Sequence, residues 1–111
     1  MGDLDDVLTV PELAERLGIA PAAARQLVKD HELAGLQRGP ELVVPARQLD
    51  GDLPVKHLGA VLRLLHDNRF TDEEALSWLA TEDPSLPGTP FDALHENRAT
   101  EVKRRAQALG F

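Results

Sequence analysis

Three cations stand close together in this chain with no acid between them. Arg16, Arg25 and Lys29 are the only charged residues of the window 16–29, although the 111 residues carry 19 acids against 12 Lys and Arg, a formal charge of −7. Guanidinium and ammonium groups so placed suit the neutralisation of phosphate and the reading of base edges. Arginine matches guanine with two hydrogen bonds, and Gln26, next to Arg25, is of the type that matches adenine. Arg38 adds a cation within the turn signal Arg38-Gly39-Pro40-Glu41. Total charge governs solubility and long-range attraction, whereas a local basic face decides where phosphate can sit. The charge of −7 therefore argues against tight non-specific binding without forbidding a focused site.

Other chemistry is poorly supplied. The chain has no cysteine, which excludes disulfides, thiol nucleophiles and cysteine-ligated metals. His31, His57, His66 and His95 are scattered, and no pair has the H-E-x-x-H spacing of a metal motif. There is no Gly-rich phosphate loop and no G-x-S-x-G elbow. Carboxylate pairs such as Asp5-Asp6 and Glu73-Glu74 fall at helix starts, where they complement the macrodipole. The expectation is a protein that is not an enzyme and uses no cofactor and no metal.

The elements that must position the cations follow from local signals. Thr9-Val10-Pro11-Glu12 reads as a capping box with proline in the first turn. Val10, Leu13, Ala14 and Leu17 then recur at helical spacing, and Gly18 stops the helix. Ile19 is expected to plug the corner, and Pro21 opens a second helix that ends near His31. If Ala24, Leu27 and Val28 face inward, then Pro21, Ala22, Arg25, Gln26 and Lys29 face out. Leu33 and Leu36, the turn at Arg38 to Glu41, and Leu42-Val43-Val44 predict a two-stranded hairpin. Ala46 to Leu49 adds a helical turn before Asp50-Gly51-Asp52, a polar break taken as the boundary between domains 1–50 and 51–111.

The second part is again helical, so the fold class is mainly α. Pro54 is expected to open a helix whose Val55, Leu58, Val61, Leu62 and Leu65 form one apolar stripe. Thr71 to Glu74 is another capping box, ahead of Ala75, Leu76, Trp78 and Leu79. Residues 82–90 form a Pro/Gly loop, followed by a short helix with Phe91, Ala93 and Leu94. A last helix, from about Thr100 to Leu109, is expected to turn Val102, Ala106 and Leu109 inward and Lys103, Arg104 and Arg105 outward. Apolar runs are too short to span a membrane. The start MGDLDDVLTV lacks the basic segment of a secretory signal, so a cytoplasmic protein is expected.

A helix-turn-helix needs a small residue in its first helix, an apolar residue before a glycine turn, and apolar anchors in the second helix. Ala14, Leu17, Gly18, Ile19, Ala24 and Leu27 supply these. With TVPELAERLGI, PAAARQLVKD and the hairpin GLQRGPELVVPARQLD, residues 9–50 resemble the MerR/excisionase-like group of winged helix-turn-helix DNA-binding proteins. Residues 75–109 resemble the toxin-binding domain at the C-terminus of certain bacterial antitoxins. The combined layout is similar to a small actinobacterial family whose members bind DNA.

The resemblance implies a winged helix-turn-helix followed by a small C-terminal helical bundle. It implies a transcription regulator of double-stranded DNA, nucleoid-associated when bound, with the second helix in the major groove. Arg25 and Gln26 would read bases, and Ala22 would allow close approach. Arg16 and Lys29 would clamp phosphate, and Arg38 would be the wing residue. About four or five basic contacts give modest, salt-sensitive binding, so two copies on adjacent half-sites are expected. A homodimer or a protein partner held by the C-terminal half is the companion expectation. The alternative is an antitoxin-like interaction module whose front half is secondary. Thr9 caps the first helix and, following Asp5 and Asp6, is a candidate phosphorylation site for a Ser/Thr protein kinase. A phosphate there, of about −1.5 to −2 charges, is expected to weaken DNA binding.

Overall fold

The computed structural model of the protein describes residues 4–109. Asp3, one of the N-terminal acids, lies outside them. The chain runs β1 (Val7–Thr9), α1 (Val10–Leu17), α2 (Pro21–Lys29), β2 (Leu36–Arg38), β3 (Glu41–Pro45), a 3-10 turn (Ala46–Gln48), β4 (Leu49–Asp50) and β5 (Leu53–Pro54). Four helices follow: α3 (Leu58–Asp67), α4 (Asp72–Ala80), α5 (Pro90–His95) and α6 (Ala99–Ala108).

Local chemistry sets the first helix pair. The Thr9 Oγ1 accepts the Glu12 N–H at 3.3 Å, and the Glu12 carboxylate accepts the Thr9 N–H at 2.8 Å, closing the capping box. Gly18 ends α1 at φ 71°, a left-handed conformation that a side chain would strain, and its N–H donates to the carbonyls of Ala14 and Glu15. Leu13, Ala14 and Ala24 are buried where the two helices cross. Ile19 is not the expected plug: it stays 36% exposed, and the buried side chains at the junction are Leu13, Ala14 and Ala24.

The wing is three-stranded instead of two. Its strand order is β1-β3-β2, with β1 antiparallel to β3 from Val7↔Pro45 to Thr9↔Val43. On the other side β2 pairs with β3 from Leu36↔Val43 to Arg38↔Glu41. A strand of three residues is too short for alternation to show in a sequence, so β1 carries no signal there. Gly35 lets the wing cross closely over α2. A Cβ there would stand 2.7 Å from Leu42 Cδ1 and 3.3 Å from Val28 Cγ1.

The segment expected as a polar break is structured. Asp50-Gly51-Asp52 holds the turn of a second ribbon, with Leu49↔Pro54 and Asp50↔Leu53 paired. Pro54 therefore ends a strand and does not open a helix; α3 begins at Leu58, behind His57 at φ 70°. The Val55 N–H donates to the Gln48 carbonyl at 2.8 Å, which holds the chain extended past the proline. The apolar stripe survives this shift, since Val55, Leu58, Val61, Leu62 and Leu65 are all buried.

In the helical part, threonine capping boxes open α4 (Thr71 with Glu74) and α5 (Thr89 with Asp92). α3 packs on α4 and α6, and α5 packs on the same two helices. Val102 and Ala106 point inward as their spacing predicts, but Leu109 lies past the helix end and is 41% exposed. Arg105, expected outward, is half-buried because its guanidinium donates to Ser85 Oγ at 2.7 Å and to the Ser85 carbonyl at 3.1 Å. Buried residues of both parts, among them Leu13, Ala24, Val44, Leu62, Leu76, Phe91 and Val102, form one continuous hydrophobic cluster. No helix among the described residues is long and apolar enough to cross a membrane.

Candidate nucleic-acid interface

The outward face of α2 carries Pro21, Ala22, Arg25, Gln26 and Lys29, all exposed, while Ala24 beneath them is fully buried. The burial of Ala24, with Leu27 and Val28 half-buried against the core, fixes this rotation. Ala20, the cap of α2, offers no side-chain hydrogen bond, and Pro21 has no N–H. The Ala22 and Ala23 amides thus present an uncapped positive helix end of the kind that accepts phosphate.

Arg25 faces the wing. Together with Val10, Pro11, Gln37, Pro40, Glu41 and Leu42 it lines a recess between the start of α1, α2 and the hairpin β2–β3. Gln37 braces that hairpin by donating to the Gly39 carbonyl at 3.0 Å. Lys29 stands one helical turn beyond Arg25.

The other expected site residues are held differently. Arg16 is exposed but donates from Nε to the Gly51 carbonyl at 2.9 Å, which ties α1 to the β4–β5 turn. Gln26 donates to Asp30 Oδ1 at 2.9 Å, so reading a base requires it to leave that carboxylate. Arg38 is exposed at the wing turn opposite Glu41, and it lines a separate groove with Leu4, Asp72, Glu73 and Glu74. Arg25 and Lys29 are therefore brought to one face, and Arg38 stands at the wing's edge toward an acidic neighbour. Thr9 is half-buried, its hydroxyl engaged as the cap of α1.

Two positioning residues give no signal in the sequence. Gln48 is fully buried. Its Oε1 accepts the Ala34 N–H at 2.7 Å, and its Nε2 donates to the Ala34 carbonyl at 2.8 Å and to the Pro45 carbonyl at 3.3 Å. One amide thus clamps the chain entering the wing to the chain leaving it. Arg47 pairs with Asp92 on α5, and the His95 Nε2 lies 2.7 Å from the Arg47 carbonyl. The Thr89 N–H donating to Asp92 holds that carboxyl below the usual aspartate range, with the Arg47 charge adding to it against partial burial. Asp83 is lowered too, by the Ser85 hydroxyl and N–H and then by Arg105.

A two-helix unit with an exposed second helix, braced by a three-stranded wing, defines a winged helix-turn-helix protein with a helical C-terminal part. Residues 3–49 match the family described as "DNA-binding protein Rv2175c, wHTH domain", and residues 55–110 match "Rv2175c C-terminal domain of unknown function". Over 127 aligned residues the chain is 35% identical to the DNA-binding protein Rv2175c of Mycobacterium tuberculosis, covering 96% of this chain and 87% of that relative. It superposes on the NMR structure of Rv2175c with a TM-score of 0.87 at 33% identity, covering 98% of this chain and 84% of the other. The chain belongs to the Rv2175c family. These matches carry neither the MerR/excisionase-like nor the antitoxin-like resemblance.

Proposed function

We propose that the chain binds double-stranded DNA as a transcription regulator, with α2 in the major groove and the wing against the backbone. The observation that carries this reading is the outward face of α2. Arg25 and Lys29 have no side-chain partner among the described residues, and the same helix offers small alanines and an uncapped start. The relative named as a DNA-binding protein supports it. In this reading Arg25 and Gln26 meet base edges, while Lys29, Arg16 and Arg38 meet phosphates. Two copies on adjacent half-sites raise the modest affinity of one.

Fluorescence anisotropy with genomic fragments at two salt concentrations tests it. Arg25→Ala is expected to weaken specific binding by roughly tenfold to a hundredfold, the worth of one bidentate base contact. Absence of binding at low salt, or an Arg25→Ala protein equal to wild type, defeats the proposal.

Thr9 is the proposed point of control for a Ser/Thr kinase. Its neighbours Val10 and Pro11 line the Arg25 recess, so a phosphate there would face the DNA backbone and repel it. A Thr9→Glu protein that binds DNA as tightly as wild type argues against this control.

A further inference from the structure

His31 and His66 are far apart in sequence, yet their rings stack with centroids 3.8 Å apart and planes tilted by 30°. His31 follows α2 in the left-handed region, at φ 60°. His66 lies in the last turn of α3, and Asp72 is the first residue of α4. Each of the three offers one ligand atom, and these atoms lie within 4.8 Å of one another.

The local hydrogen bonding is incomplete in a telling way. His31 Nδ1 and His66 Nε2 are buried without a hydrogen-bond partner. His66 Nε2 is 2.8 Å from Asp72 Oδ1, but the two are at ion-pair distance without hydrogen-bond alignment. Asp72 itself is oriented, since its Oδ2 accepts the Gly35 N–H at 2.9 Å and leaves Oδ1 for the histidines. Native structures seldom leave buried ring nitrogens unmatched without a reason. Two adjacent imidazoles and an anchored carboxylate supply lone pairs and negative charge to a cation.

We propose that His31, His66 and Asp72 form a zinc(II) site, with water as the fourth ligand. Imidazole nitrogen with one carboxylate oxygen suits zinc, whereas magnesium and calcium take oxygen ligands throughout. Zn–N bonds of about 2.0–2.1 Å put tetrahedral ligand atoms about 3.3 Å apart. The ligand atoms lie within 4.8 Å of one another, so reaching that distance needs rotation of the stacked rings without movement of the helices. Asp72 also lines the open groove between wing and α4, which gives the ion a route in. The ligands come from the end of α2, from α3 and from α4, so the ion would fasten the foot of the exposed helix to the helical part. The sequence hides this site because the histidines stand 35 positions apart.

The test uses the full chain, free of any affinity tag and treated with chelator. Zinc is titrated by calorimetry and cobalt(II) by visible absorption. One ion per chain is expected, with the strong d–d bands of four-coordinate cobalt, which zinc then bleaches. At a free zinc concentration a hundredfold above Kd, Tm should rise by about 10 °C. His31→Asn keeps the fold, because asparagine tolerates that backbone conformation, and should lower zinc affinity by more than about tenfold. Glu73→Gln, next to Asp72 in sequence, should leave affinity unchanged. No metal-dependent change in Tm, only the weak bands of six-coordinate cobalt, or a His31→Asn protein that binds as tightly as wild type each overturn the site.

Discussion

Arg25, Lys29 and Arg38 project from α2 and the wing without a side-chain partner among the described residues. Arg47, Arg63, Arg98 and Arg105, by contrast, each reach an acid: Asp92, Glu32, Glu96 and Asp83 respectively. Lys56, Arg69 and Arg104 of the helical part are also without an ion pair among the described residues, but they stand apart, before α3, after it and on α6. Acids thus neutralise Arg47, Arg63, Arg98 and Arg105 and leave Arg25, Lys29 and Arg38 without an ion pair among the described residues. Net charge averages over that arrangement, and so it says little about where phosphate can bind. Pairing decides it.

The largest expected effect comes from breaking the clamp at the base of the wing. Gln48→Leu removes three hydrogen bonds and leaves the Ala34 N–H and carbonyl buried without partners. Urea unfolding should report a loss of about 3 kcal/mol, since each orphaned group costs about 1–3 kcal/mol. A loss under about 1 kcal/mol would mean that another group replaces the amide.

The charge contrast is sharpened by a matched pair. Lys29→Ala should flatten the salt dependence of DNA affinity by about 0.9 in log–log slope, one phosphate's worth. Arg63→Ala removes a cation already paired with Glu32 and should leave the slope unchanged. Equal effects from the two variants would erase the distinction between the two groups of cations.

The smallest effect is a dependence on pH. Asp92 has a depressed folded pKa, so its stabilisation is complete above the unfolded value of about 3.9 and is lost as pH falls through the folded value. Asp92→Asn should therefore cost under about 1 kcal/mol at pH 7, as partly exposed pairs do. The difference from wild type should vanish as pH falls below 4. A difference that persists in strong acid would show that the Asp92 charge is not its source.

How much of this was legible depends on the range of the signal. α1, its glycine stop and α2 were readable because cap, stop and apolar spacing lie within one short segment. The outward face of α2 followed from them by helix geometry. The strands β1, β4 and β5 were not readable, for two or three residues carry no periodicity. Gln48 gives no sequence signal of burial, since glutamine is mostly exposed. Only the fold shows that it reaches Ala34. The stacking of His31 on His66 was invisible for a related reason: no local pattern reports on a contact made across two elements. On the candidate face, the exposure of Arg25 and Lys29 was legible, but the surroundings of Arg16, Gln26 and Arg38 were not.

The β4–β5 ribbon has a mechanical meaning. A flexible tether would let the helical part tumble about the helix-turn-helix and would lose entropy whenever that motion was restrained. Here the joint is a paired turn, gripped by Arg16 through the Gly51 carbonyl and backed by the shared core. There is no slack in it. If α2 seats in a groove as proposed, the angle and the rotational phase of the helical part about the duplex are set as well. Copies one helical turn apart would display it to the same side, like teeth on a rack.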